Sequence, residues 1–212
     1  MRQLKRLLGP TFLICALTAC SAVAQQSPAR QGTTAPAPAT PVQKATAAPS
    51  NPDAVVLADF NARLDRYIKL QRALLKEAPL KETDNSADIV ASQEVLAAKL
   101  RNIRKDAKQG DIFSPEVAAL FKRLIAPELK GAEGRETKQS LSEEDGETAQ
   151  VNLKVNAAWP PTEVLTTMPA NILANLPQLP MDVEYRISAK RHLVLRDVDA
   201  NIIVDFIYNA IR

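Results

Sequence analysis

The feature that most restricts this chain is a change of hydrophobic period near its middle. From residue 52 to about 125, apolar side chains recur every three to four positions, and from 151 onward they alternate. The first period suits one face of a helix and the second suits a half-buried strand. The two halves are separated by KGAEGRETKQSLSEEDGETAQ (130–150), which is rich in charge and has a single large apolar residue, Leu141. These observations predict an α+β fold: an antiparallel helical hairpin with a shorter third helix over 52–130, a charged loop over 131–150, and a small antiparallel β-sheet region over 151–212.

Within the helical half the start and stop signals are specific. Asn51-Pro52-Asp53 combines a capping side chain, a proline suited to the first helical position and an acid at the positive end of the helix dipole. Leu57, Phe60, Leu64, Tyr67 or Ile68, and Leu74 then form an apolar stripe, and Pro79 bounds it. A second helix is expected after Thr83-Asp84-Asn85-Ser86. Its seam is Ile89, Gln93, Leu96, Leu100, Ile103 and Ala107, with Gly110 placed to stop it. Ser114-Pro115-Glu116 opens a third helix with Val117, Leu120, Phe121, Leu124 and Ile125 on its apolar face.

In the second half, Val151, Leu153, Val155, Ala157 and Trp159 alternate with polar residues and predict a strand that ends at Pro160-Pro161. Short helical turns fit within 162–176, interrupted at Pro169. Leu176-Pro177-Gln178-Leu179-Pro180 must be extended. Residues 183–187 and 193–196 predict a β-hairpin with a basic, solvated tip at Lys190-Arg191-His192. The unbroken run Ile202–Ile207 predicts a strand covered on both faces.

The first two dozen residues carry a different message. Arg2, Lys5 and Arg6 precede a short apolar core, Leu7 to Leu17, and small residues follow, the pattern of a secretory signal. The core is about half the ~20 residues that a membrane-crossing helix needs. Two exits are open. Ala22-Val23-Ala24 permits cleavage that leaves Gln25 first, giving a soluble periplasmic or secreted protein. Leu17-Thr18-Ala19-Cys20 resembles the lipobox of bacterial lipoproteins. That resemblance implies lipid attachment at Cys20, and Ser21 after it implies an outer-membrane anchor facing the periplasm. Residues 21–51 are Ala, Pro, Thr, Gln and Ser with almost no large apolar side chain, a composition of disordered tethers. At ~3.1 Å per residue in polyproline II, such a segment reaches on the order of 80–90 Å. The stretch LPQLPMDVEYRI through HLVLRDVDANIIVDFI resembles a segment recurring in a family of uncharacterised exported bacterial proteins, which brings no site residue with it.

Composition excludes several function classes. Removing Arg2, Lys5 and Arg6 from the 27 basic residues leaves as many as the 24 acidic ones, so the processed chain is neutral and offers no basic footprint for nucleic acid. Both cysteines, Cys15 and Cys20, lie in the export segment, so no internal disulfide or thiol ligand is expected beyond it. His192 is the only histidine, which rules out multi-histidine zinc sites. No Gly-rich phosphate loop and no nucleophile motif is present.

Three local candidates remain. Asp197, Asp199, Asn201 and Asp205 superficially resemble a calcium loop, but Ile202 stands where glycine is required and Tyr208 where the bidentate Glu is required. Turn capping is the reading preferred for these carboxylates. Trp159 before two prolines suits either stacking on a ligand or a core position. The basic tip suits either contact with anionic lipid or simple solvation. The sequence therefore predicts no catalytic residue, metal or cofactor. It points to an exported, lipid-anchored, non-enzymatic interaction module for an envelope protein or polymer, its surface supplied by the helical hairpin. The alternatives are a holdase-like periplasmic chaperone using the helical stripes, and a hydrolase or small-ligand binder around Trp159, His192 and the Asp197–Asp205 stretch.

Overall fold

Helix capping sets the boundaries of the first half. In the computed structural model, which describes residues 51–144, 152–160, 167–189 and 191–211, helix α1 spans Pro52–Glu77, α2 Ser86–Ile103 and α3 Pro115–Ile125. All described residues belong to the unit Thr46–Arg212. The signal segment, Cys20, the tether before Asn51, Val151 and Lys190 lie outside them. The Asn51 side chain accepts the N–H of Asp53 (3.0 Å), Asn85 that of Ala87 (3.0 Å) and Ser114 that of Val117 (3.4 Å). Each cap satisfies a donor that the first helical turn leaves without an intrahelical partner.

Most of the three apolar stripes is buried internally, although Ile89 and Ile103 of the α2 seam are exposed. Phe60, Leu64, Tyr67, Ile68, Leu74, Leu96, Leu100, Val117, Leu120, Phe121 and Ile125 are all buried in one core. Lys99 late in α2 meets Glu77 at the end of α1, and Arg104 just past α2 covers the ring of Tyr67 in mid-α1. The two helices therefore run in opposite directions, as a hairpin. Phe60 stacks on Phe113 at 5.9 Å, and Phe121 packs edge-on against both. Phe121 also reaches Tyr185 of the sheet at 6.1 Å, joining the helical layer to the strands.

Helix α2 is shorter than its seam predicts. It ends at Ile103, which is exposed, and Gly110 sits in a turn with φ +92° instead of capping the helix. That left-handed backbone suits glycine.

The charged loop expected over 131–150 is a second departure. Residues Gly131–Glu144 form helix α4, directly after a 3₁₀ turn at Ala126–Leu129, while 145–150 lie outside the described residues. Glu, Arg, Lys and Gln are good helix formers, so the absence of an apolar stripe hides this helix without preventing it. One leucine, Leu141, docks it in the core. Gly134 permits a close approach: a Cβ there would lie 2.1 Å from the backbone carbon of Leu129. Gly134→Ala is expected to cost about 2–3 kcal/mol or to push α4 off the 3₁₀ turn, read as a lower urea midpoint.

The sheet has the order β1-β2-β3, with β1 Val183–Ser188, β2 His192–Asp197 and β3 Ile202–Ile207, all antiparallel. A short helix, α5 (Ala170–Asn175), and an extended stretch precede it. The predicted hairpin and the doubly covered last strand are both present. One face of the sheet packs on the helices, and the other carries Val194, Ile203 and Phe206 under Leu153, Val155 and Trp159.

The strand expected over 151–159 is absent from the described residues 152–159, which make only an isolated bridge, Ala158 to Ile202. Leu153, Val155 and Trp159 do turn inward, but Asn156 adopts φ 65°, breaking the alternation. The segment still occupies the outer edge of β3: Asn156 donates to the carbonyl of Ile203 (2.8 Å), Ile203 to Ala157 (2.9 Å) and Trp159 to Asn201 (2.9 Å).

Candidate binding groove beside the open sheet edge

Residues 156–159 cover the start of the β3 edge, and Arg104 and Gln109 donate to the carbonyls of Val204 and Phe206 further along it, so the other edge of the sheet is β1. A groove of about 630 Å³ runs beside it, walled by Met168, Leu173, Leu176 and Leu179 on one side. On the β1 side, Val183, Glu184, Tyr185 and Arg186 all line it. Consecutive residues of a strand point to opposite faces, so a wall containing both sets is the edge of the strand.

The phase of the ladder shows which amides face the groove. Val198 donates its N–H to the carbonyl of Asp182 at 3.0 Å, so the even-numbered residues of β1 bond inward to β2. Val183, Tyr185 and Ile187 then turn their N–H and C=O groups outward. Val183 N–H is taken by the carbonyl of Pro180 (3.3 Å). Those of Tyr185 and Ile187 have no partner among the described residues, and edge groups of this kind template pairing with another strand. Leu173 in the groove wall is 47% exposed, and Met181, in the turn leading into β1, is 95% exposed.

The outer face of the edge carries one carboxylate between two guanidinium groups. Glu184 accepts from Arg186 at 2.6 Å and from Arg196, whose Nε and terminal nitrogen also reach Asn201 at 2.9 and 2.7 Å. Burial pushes the Glu184 carboxyl up, but the bonds from Arg186 and Arg196 outweigh it and hold the group below its ordinary 4.5. A carboxyl lowered by folding contributes stability above its unfolded value and loses it as pH falls through the folded one. Glu184→Gln is therefore expected to lose less stability than the parent chain between neutral pH and about pH 3, measured by urea denaturation across that range.

The residues singled out from the sequence do not line this groove. His192 is buried at the start of β2, which corrects the solvated tip expected for it. Its Nδ1 accepts the N–H of Asn209 (3.1 Å), and Tyr208 packs edge-on against the ring at 5.0 Å. Burial, and then the neighbouring Arg191, lower its pKa and favour the neutral ring. No serine, cysteine or carboxylate is bonded to it among the described residues. Trp159 lies in the cluster with Leu153, Val155, Val194, Ile203 and Phe206, a core position.

The acidic stretch is a set of clasps. Asp197 accepts from the Tyr67 hydroxyl (2.6 Å) and the Ala200 N–H (2.7 Å), and Asp199 accepts from the Gln71 amide (2.9 Å). Asp205 accepts the N–H groups of Gly110, Ile112, Phe113 and Phe206, at 3.0, 2.9, 2.8 and 2.8 Å. Burial pushes the carboxyls of Asp197 and Asp205 above the ordinary Asp range, against those donated bonds. Each carboxylate is committed to its own donors, and among the described residues no group of three or more His, Cys, Asp or Glu is placed to hold a metal ion.

Sequence reasoning missed the groove because it depends on strand order. The donors Tyr67, Gln71, Arg104 and Gly110 were equally invisible, being up to 130 residues from their partners. The chain matches no family model, no curated protein and no solved structure.

Proposed function

We propose that this is an exported cell-envelope protein, anchored in the outer membrane through a lipidated Cys20, whose folded unit is a non-enzymatic interaction module. Its binding element is the open edge of β1, which takes an extended chain segment by strand addition, with main-chain hydrogen bonds giving affinity and the apolar groove receiving side chains. The observation that carries this reading is the outward-facing amides of Tyr185 and Ile187 beside a groove lined by Met168, Leu173, Leu176 and Leu179. It moves the interaction surface from the helical hairpin, most of whose apolar stripes are buried, to the sheet.

The test is a photo-reactive side chain placed at Met181, exposed in the turn immediately before β1, in the full-length protein in its own envelope. The same group at Val95, exposed on α2, is the control. A reproducible adduct from 181 and none from 95 supports the assignment; adducts from 95 alone would overturn it. Cys20→Ala should shift the protein from the membrane to the soluble fraction, and unchanged membrane retention would remove the anchor.

A further inference from the structure

We infer that the segment paired along β1 is the β1 strand of a second copy of this chain, antiparallel about a two-fold axis through Tyr185. The inference rests on the groove being a strand-addition site and names its occupant. Hydrogen bonds between two such edges require outward-facing residues to oppose each other, here Tyr185 and Ile187 with both groups and Val183 through its C=O, its N–H being held by Pro180. Axes through Glu184, Tyr185 or Arg186 all satisfy that requirement, and charge decides among them. An axis at Glu184 sets that carboxylate against its own copy, and one at Arg186 opposes two guanidinium groups.

Only the axis through Tyr185 pairs unlike charges, with Glu184 opposite the second copy's Arg186 and Arg186 opposite its Glu184. Opposite charges across a strand pair stabilise it, and like charges destabilise it. Glu184 and Arg186 already share one face 2.6 Å apart, so the pairing alternates the two copies' Glu184 and Arg186 along the seam, with each Glu184 also held from behind by Arg196 of its own copy. On the other face Val183 is opposite Ile187 and Tyr185 opposite Tyr185, uncharged side chains that face the helical side and are already buried in their own copy's core. The sequence Val183-Glu184-Tyr185-Arg186-Ile187 is thus complementary to itself when reversed, as a two-fold interface requires.

The experiment uses the chain from Gln25 onward, which contains no cysteine. Sedimentation velocity over a micromolar concentration series should show reversible dimers. Single variants Glu184→Cys and Arg186→Cys, mixed under mild oxidation, should form a disulfide-linked dimer at least about tenfold faster than either alone. The 184–186 pair is directly opposite, whereas 184–184 and 186–186 are diagonal, about 7 Å apart, near the limit for bridging. Circular dichroism checks that both variants fold, and sedimentation of the unsubstituted chain does not depend on them.

A monomer at every concentration, or no preference for the mixed disulfide, overturns the inference. If the monomer is found and Met181 captures a different envelope protein in cells, the strand-addition reading survives without the second copy. If neither dimer nor adduct appears, both fall.

Discussion

Replacing Asp205 with alanine is expected to destabilise the fold by about 4 kcal/mol, a larger loss than from any exposed position. The side chain is 0% exposed and gathers the backbone N–H groups of Gly110, Ile112 and Phe113 from the turn between α2 and α3. Those donors have no helix to join, because α2 has ended at Ile103 and α3 has not begun. Alanine leaves them without an acceptor, at about 1–3 kcal/mol for each buried orphan, less what water regains at the rim. Phe113 is one of the three stacked rings, so a loosened turn also loosens the packing of Phe60 and Phe121. Asp205→Asn keeps the shape and one acceptor oxygen, and should cost about half as much. Urea denaturation of both variants measures the pair. Equal losses would show that shape, and not acceptor capacity, is what the turn needs.

The same turn shows what can and cannot be read from a sequence. The α+β class, the caps at Asn51, Asn85 and Ser114, the hairpin and the doubly covered last strand follow from local rules, because each signal lies within a few residues of its effect. Asp205 could be marked as a hydrogen-bonding carboxylate, yet nothing local says that its donors lie 92 to 95 residues earlier. Helix α4 was hidden because a single apolar anchor, Leu141, gives no period. Residues 152–159 imitated a strand because Leu153, Val155 and Trp159 do face inward, although Asn156 turns the backbone left-handed between them. The groove is harder still. Alternation reveals that β1 and β3 are strands, but which of them keeps a free edge depends on where residues 156–159 settle, and that is a property of the assembled sheet.

Tyr67→Phe is expected to cost about 2 kcal/mol and Asp197→Ala about 3 kcal/mol. The double variant should fall short of their sum by about 1–2 kcal/mol, since both remove the same bond. Asp197 is 0% exposed, and the Tyr67 hydroxyl reaches it at 2.6 Å across the helix–sheet interface. Burial, and then the Asp197 charge, hold the Tyr67 pKa far above its ordinary value, so the hydroxyl keeps its proton and donates it. Arg104 covers the same ring at 4.8 Å and donates to Asn156 (2.8 Å) and to the carbonyl of Val204 (3.2 Å). One cluster therefore ties α1, the segment that seals β3 and the end of β2 together. Asp197 is also the register partner of Val183, the first residue of the open edge. Breaking the bond loosens that end of β1 while leaving its outward amides intact. The variants should thus lose stability first, and lose edge pairing only in proportion to the unfolded fraction. Strict additivity in the cycle would mean that Tyr67 and Asp197 act separately, and that the edge is positioned by the ladder alone.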